Sequence, residues 1–413
     1  MLVWGMAART VPAPAPPARR RPTTRRSGVA RALAVAAVLA LAACTGGGPG
    51  SVGSPVVPAP ATTDRGPSSP PGPSGPATVQ VVEVTDVATG LDVPWGIAFL
   101  PDGSAAVTLR DEARVVVVGA DGSVRDVGGP GAQQLTDVVA PGGEGGLLGV
   151  TVLDATADGA ELALYATTAQ DNRVLRGTLS GTTLGELTPV LTGIPRARNH
   201  DGGRLAVGPD GYLYVTTGDA GDRPSAQDGG SLAGKVLRVT ADGAPAPGNP
   251  DPASPVWSLG HRNVQGLGWS SDGRLFAAEF GQDTWDELNV VVPGGNYGWP
   301  LVEGAGGDGF VDPVATWATS DASPSGLAVT DEAVYLAGLR GERLWRVPLL
   351  PPPGGAGPAG GVGVPQALLT GEHGRLRAVE QAPDGSLWVL TNNTDGRGDP
   401  RDGDDRVLRV VVR

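Results

Sequence analysis

The chain has 413 residues, 31 of them basic and 43 acidic, with three histidines, one cysteine and 66 glycines. A net charge of −12 makes nucleic acid and anionic lipid surfaces poor partners. One cysteine excludes an intramolecular disulfide, and the lack of any Cys/His cluster argues against zinc.

The chain begins unlike the rest. Residues 1–43 hold seven arginines and no acid, and after Arg31 an apolar run of twelve residues extends from Ala32 to Ala43. That is too short to span a bilayer and right for the apolar region of a signal peptide. Leu41-Ala42-Ala43-Cys44 resembles a bacterial lipoprotein signal, which predicts export and a lipid anchor on Cys44 at the outer face of the cell membrane. Removal of residues 1–43 leaves 24 basic residues against 43 acids, a net charge of −19. Residues 44–78 are mostly Gly, Pro, Ser, Ala and Thr and read as a flexible tether.

The body, residues 79–413, lacks long helical patterns. Short runs rich in Val and Leu alternate with turn signals, the mark of an all-β fold. The turns recur at Asp102-Gly103, Asp158-Gly159, Asp210-Gly211, Asp272-Gly273, Asp331-Glu332 and Asp384-Gly385, at spacings of 56, 52, 62, 59 and 53 residues. Hairpins of a β-sandwich give similar turns, but a period kept across the whole body points to a six-bladed β-propeller. The stretch "VQVVEVTDVATGL" supplies a strand to the last blade, which also holds "RVLRVVV", so that the ring closes.

Polar residues set in glycine-rich loops mark the candidate site: Glu144 in "GGEGGLLGV", His200 in "RNHDGGRL", and His261, Arg262 and Asn263 in "GHRNVQGLGW". Arg262, Arg340, Arg375 and Arg377 suit an anionic ligand bearing several carboxylates. "EFGQDTWDELNVVVPGGNYGWP" offers the Asp286 and Glu287 carboxylates and loop carbonyls to a hard cation such as calcium. "GAGGDG" matches a dinucleotide fingerprint only formally, without its strand-then-helix setting, and "DGRGDPRDGDD" reads as a solvated acidic loop rather than an EF-hand. No Gly-x-Ser-x-Gly elbow or Walker loop is present, so hydrolase and NTPase readings have no support.

These clusters, in this order, resemble the soluble aldose sugar dehydrogenases that depend on pyrroloquinoline quinone (PQQ), also called the glucose/sorbosone dehydrogenase family. "GEGGLLGV", "HDGGRLAVGPDGYLYVTTGDAG", "SLAGKVLRVTADGAPAPGNP", "GHRNVQGL", "DELN" and "NYGWP" carry the resemblance over nearly the whole body. It implies a six-bladed propeller that oxidises an aldose at C1 to the lactone and passes electrons to an acceptor it does not identify. It implies His200 as general base and Arg262 as the residue that stabilises charge on the quinone. Glu144, Asn263, Arg340, Arg375 and Arg377 are implied as further cofactor contacts, Arg340 in place of a lysine. Gly281 and Gln282 match a Gly-Pro pair whose carbonyls hold calcium at the cofactor, and Glu287 and Tyr297 match a second, structural calcium site. Asn392 stands where some relatives have Asp. The competing readings are a non-catalytic cell-surface propeller that binds carbohydrate or protein, and a lactonase-type propeller.

Overall fold

A computed structural model describes residues 78–156, 158–351 and 360–413. The signal peptide and almost all of the tether expected from the sequence lie outside these residues. Among the described residues no helix is long and apolar enough to cross a membrane.

Six antiparallel sheets follow one another along the chain. Blade 1 comprises strands Pro94–Phe99, Ala105–Leu109, Arg114–Val118 and Val124–Asp126. Blade 2 runs from Leu147–Thr156 to Thr188–Ile194, blade 3 from Leu205–Val207 to Val256–Leu259, and blade 4 from Val264–Trp269 to Ala315–Ala318. Blade 5 runs from Pro324–Val329 to Gln366–Leu368. Blade 6 takes Leu376–Gln381, Leu387–Thr391 and Val407–Val412, and its outermost strand is Val81–Ala88 from the start of the body. That strand pairs antiparallel with Val407–Val412, Val84 opposite Val410 and Asp86 opposite Leu408. The ring closes by the strand exchange expected from the sequence, which covers an edge that would otherwise present unpaired backbone groups.

Each of the six recurrent turns lies between the first and second strands of its blade. Asp-Gly-Ser shows the local reason. Gly385 adopts φ 82°, a left-handed conformation open to glycine. Asp384 Oδ1 then accepts from the Ser386 N–H at 3.0 Å and the Ser386 hydroxyl at 2.5 Å. At the exception, Asp331-Glu332, Thr330 Oγ1 takes over by accepting from the N–H groups of Glu332 and Ala333.

The apolar residues gather in six clusters, one at each blade-to-blade interface. Ala106, Val117, Leu162 and Leu164 pack between blades 1 and 2, and Ile97, Val107, Leu390 and Val407 pack between blades 1 and 6. The other four interfaces are built the same way. Middle strands such as Ala105–Leu109 and Leu387–Thr391 are therefore buried on both faces and read as continuous apolar runs rather than as alternation. Each fully buried Val or Leu contributes about 1.5–3 kcal/mol, so stability is spread around the ring. No apolar periodicity marks the helix Pro130–Val138, whose Leu135 is buried in the interface of blades 1 and 2; nine residues with one apolar anchor are too short a pattern to stand out.

Candidate functional site

The loops that cross from the outer strand of one blade to the inner strand of the next all emerge at one end of the central channel. Glu144 precedes the inner strand of blade 2, His200 that of blade 3, Arg262 that of blade 4, Ser323 that of blade 5 and Arg375 that of blade 6. All five line one cavity of about 390 Å³, together with Gly281, Gln282, Asp286, Arg340 and Arg397. The volume is in the range of cofactor and small-ligand pockets.

His200 is held at φ 64°, a left-handed conformation uncommon for a residue with a side chain. Its backbone N–H donates to Glu144 Oε2 at 2.9 Å. Gly202 (φ 65°) lets the following loop lie against blade 3, since a Cβ there would stand 2.5 Å from Thr217 Cα. The ring nitrogen Nδ1 lies 2.7 Å from Asp219 Oδ1. Asp219 is fully buried and also accepts from Trp299 Nε1 at 2.8 Å and the Gly221 N–H at 2.7 Å. Burial raises its pKa, but the hydrogen bonds from His200, Gly221 and Trp299 outweigh burial and hold the carboxyl below the usual range. An ionised carboxylate only accepts, so Nδ1 carries the proton and the other ring nitrogen, Nε2, is left as a base.

Arg262 lies at a wall of the same cavity. Nε and Nη2 donate to Gln282 Oε1 at 3.1 and 2.8 Å, and Nη1 to the Phe280 carbonyl at 3.2 Å. Its guanidinium stands 5.4 Å from the Trp299 ring, which Arg223 approaches at the same distance. Trp299 thus couples the arginine to the His200–Asp219 pair. Arg375 donates from Nη2 to Asp395 Oδ2 at 3.1 Å and keeps a buried Nε without a partner. Arg340 is exposed at the cavity's edge. Burial pushes the Asp286 carboxyl up to about 6; it accepts from the Gly281 and Ser323 N–H groups.

Two residues expected as cofactor contacts, Asn263 and Arg377, are not among those that line this cavity. Asn263 is fully buried behind His200, where Oδ1 accepts from the Gly202 N–H at 3.0 Å; it shapes the histidine loop and does not line the cavity. Arg377 lies below the cavity floor in the channel. It donates to Asn392 Oδ1 at 2.8 and 3.1 Å, to Gln265 Oε1 at 2.9 Å and to Ser325 Oγ at 3.3 Å. Arg375 precedes the inner strand and Arg377 is its second residue, so the two share a face but the rise of about 6–7 Å over two residues sets Arg377 one level deeper. Burial lowers the Arg377 guanidinium to about 9. His261 is structural: it bridges Ser258 Oγ and Glu279 Oε2 at 2.8 Å each and stacks on Tyr297.

Glu287 and Tyr297 sit apart from the main cavity, around a void of about 10 Å³ shared with Glu279 and Glu303. Glu287 faces Glu279 across adjacent strands. Burial and then the Glu279 charge push its carboxyl up to about 7. The Tyr297 hydroxyl donates to the Val290 carbonyl and accepts from the Val292 N–H. Among the described residues no group of three or more His, Cys, Asp or Glu side chains is arranged for a metal, so a cation here would rely on carbonyls as well.

Sequence reading missed Asp219, Trp299 and Arg397. Asp219 lies in "GDAG", which looks like an ordinary turn. Arg397 lies in the loop read as solvated and acidic; its Nη1 meets Glu144 Oε1 at 3.2 Å. Only proximity in space, 253 residues apart in sequence, marks that arginine.

Comparison with known proteins agrees with this geometry. The family described as Glucose / Sorbosone dehydrogenase matches residues 91–407. The PQQ-bound form of an aldose sugar dehydrogenase from Streptomyces coelicolor is 52% identical, with a TM-score of 0.73 over 81% of this chain and 98% of that one. An aldose sugar dehydrogenase of Escherichia coli (strain K12) is 32% identical over 76% of this chain and 91% of its own length. The apo-form of the soluble aldose sugar dehydrogenase from Escherichia coli superimposes with a TM-score of 0.67 at 27% identity, over 81% of this chain and all of that one. With a histidine held by a buried aspartate at an arginine-lined cavity at one end of a six-bladed ring, and with sequence similarity over most of its length, the chain belongs to the glucose/sorbosone dehydrogenase family of oxidoreductases.

Proposed function

We propose that the protein oxidises an aldose at C1 to the lactone, with PQQ as hydride acceptor and Ca²⁺ beside it, and with His200 as general base. The observation that carries this reading is the His200–Asp219 pair, which leaves one basic nitrogen on a cavity lined by arginines. The residues fit a planar cofactor bearing three carboxylates: Arg262, Arg340 and Arg375 line the cavity, and the Nε of Arg375 is buried without a partner. The carbonyls of Gly281 and Gln282 accept no hydrogen bond among the described residues and lie at the same cavity, a hard-oxygen set suited to calcium. Glu287 and the Tyr297 carbonyl would hold the second ion, where two adjacent carboxylates favour a cation.

Bound PQQ would supply the two-electron acceptor. His200 Nε2 takes the proton of the anomeric hydroxyl, and the buried Asp219 carboxylate fixes the ring and stabilises the imidazolium that forms. Arg262, oriented by Gln282 and Trp299, would offer the bound cofactor a fixed positive charge that stabilises negative charge developing on it. Titration of the full-length protein with PQQ, with and without Ca²⁺, followed by an aldose panel with an artificial acceptor, tests the reading. Turnover with an absorbance change on titration is expected. No absorbance change at micromolar PQQ would leave the non-catalytic propeller. In His200→Ala, PQQ binding persists and kcat falls 10²–10⁴-fold, the range for a lost general base.

We also propose export and anchoring through Cys44, on the strength of the amino-terminal sequence. Metabolic lipid labelling that disappears in Cys44→Ser is the expected result, and unlabelled wild-type protein would rule it out.

A further inference from the structure

The opposite mouth of the channel holds a second cavity, of about 420 Å³, formed where the inner strands of all six blades end. Its walls are largely apolar residues such as Phe99, Leu267, Leu327 and Trp269, and two charged side chains open onto it, Arg204 and Glu380. These are the only ionisable residues among those lining it. The strand ends of the two neighbouring blades, Ile97–Phe99 and Leu327–Val329, bring no charge to Glu380.

Arg204 is buried and Glu380 partly buried, and both are poorly satisfied. Arg204 makes one side-chain hydrogen bond, from Nε to the Gln265 carbonyl at 2.8 Å, and its guanidinium stacks 4.4 Å from the Trp95 ring. Its Nη2 is buried without a partner. The Glu380 carboxylate accepts no hydrogen bond among the described residues, and Arg204, beyond ion-pair distance, is the charge that acts on it. Two other buried arginines are better satisfied. Arg238 reaches Asp210, Asn249 and the Pro247 carbonyl, and Arg274 reaches Asp272 and the carbonyls of Gly360 and Gly361. A buried charge left without partners is costly. Burial holds Arg204 down to about 10 and pushes Glu380 up to about 7. A rigid cation and a hydrogen-bonding carboxyl, unpaired in one concave space, are complementary to a ligand with one acidic end and several hydroxyls.

We propose that this mouth of the channel is a second ligand site, taking a small hydroxylated carboxylate, with Arg204 binding the carboxylate and Glu380 the hydroxyls. An open-chain sugar acid belongs to that class, and it is what a sugar lactone becomes on hydrolysis. Binding does not depend on the redox reading above, because the two cavities lie at opposite ends of the channel and the assay needs no turnover.

The experiment is calorimetric titration of the full-length protein with sodium gluconate, with sorbitol as the same polyol lacking the carboxylate. Trp269 fluorescence provides a second signal. Gluconate is expected to bind at least tenfold more tightly than sorbitol, and Arg204→Gln to remove that preference. Glu380→Gln is expected to bind like wild type at pH 6 and more tightly at pH 8.5, where an ionised Glu380 repels the carboxylate. That variant is decisive even where Arg204→Gln fails to fold. Absence of gluconate binding at 20 mM, equal binding of sorbitol, or an Arg204→Gln protein with unchanged affinity would each overturn the proposal, as would a Glu380→Gln protein whose affinity follows pH as the wild type does.

Discussion

At the scale of single residues, Asp219 determines how His200 is read. An isolated histidine in a loop can point either nitrogen anywhere. Here a buried carboxylate with three donors fixes both the ring and its proton. Asp219→Asn would replace the acceptor by an amide that also donates, and the tautomer would no longer be enforced. The expected result is a kcat lowered by about 10²–10⁴ with PQQ affinity nearly unchanged, measured by turnover and by spectral titration. A variant with normal turnover would show that His200 works without its partner. Glu380 carries a prediction about stability. Its carboxyl is raised from 4.5 to about 7 in the fold. A raised acid favours folding below its unfolded pKa, and that contribution is lost as pH rises from about 4.5 through 7. Glu380→Gln should therefore raise Tm at pH 8, on the order of 1–3 kcal/mol in stability, and leave it unchanged at pH 4, as read by thermal melts.

At the scale of elements, the loops carry the chemistry and the strands carry the register. The loop after Leu387–Thr391 sends Asp395 to Arg375 and Arg397 to Glu144. Arg397 is more than half exposed, and an exposed ion pair contributes about 0.2–1 kcal/mol. Arg397→Gln should change kcat/KM by less than about fivefold, and steady-state kinetics on an aldose would check this; a larger loss would mean that Arg397 touches the ligand directly. The strand Val81–Ala88 makes a different contribution, since it closes the ring on Val407–Val412. Its deletion would expose a sheet edge and uncover Leu408 and Val410 in the last interface. A lower Tm and increased light scattering on heating are the expected outcomes.

At the scale of the whole molecule, six similar apolar interfaces hold a ring whose channel is charged along its length. Arg375 lies at one cavity, Arg377 below it, and Arg204 at the other mouth. Calcium would act on this whole: an ion that binds only the folded ring stabilises it by about 2.7 kcal/mol at a hundredfold excess over Kd. Chelation should therefore lower Tm by several degrees and calcium should restore it; a Tm indifferent to both would rule out the proposed ion sites.

The blade count was legible because each hairpin needs the same turn. Asp-Gly pairs stand at five of the six turns, and in four of them the glycine, Gly103, Gly211, Gly273 or Gly385, is left-handed. The closing strand was legible from its apolar run. His200, Arg262, Glu144, Arg340 and Arg375 were legible as polar residues in glycine-rich loops, and the fold brings all five to one cavity. Arg377 and Asn263 stood out in the same way but do not line that cavity, because how deep a side chain sits depends on its level along the strand and on loop packing. Asp219 and Arg397 were missed for a related reason: each matters through one contact with a residue distant in the chain. Local turn chemistry and apolar runs are written into consecutive residues, and so the sequence alone determined a six-bladed ring. Which charges meet, which stay unpaired, and that the channel ends in two separate cavities follow from the closure of the ring, and only the tertiary structure decided them.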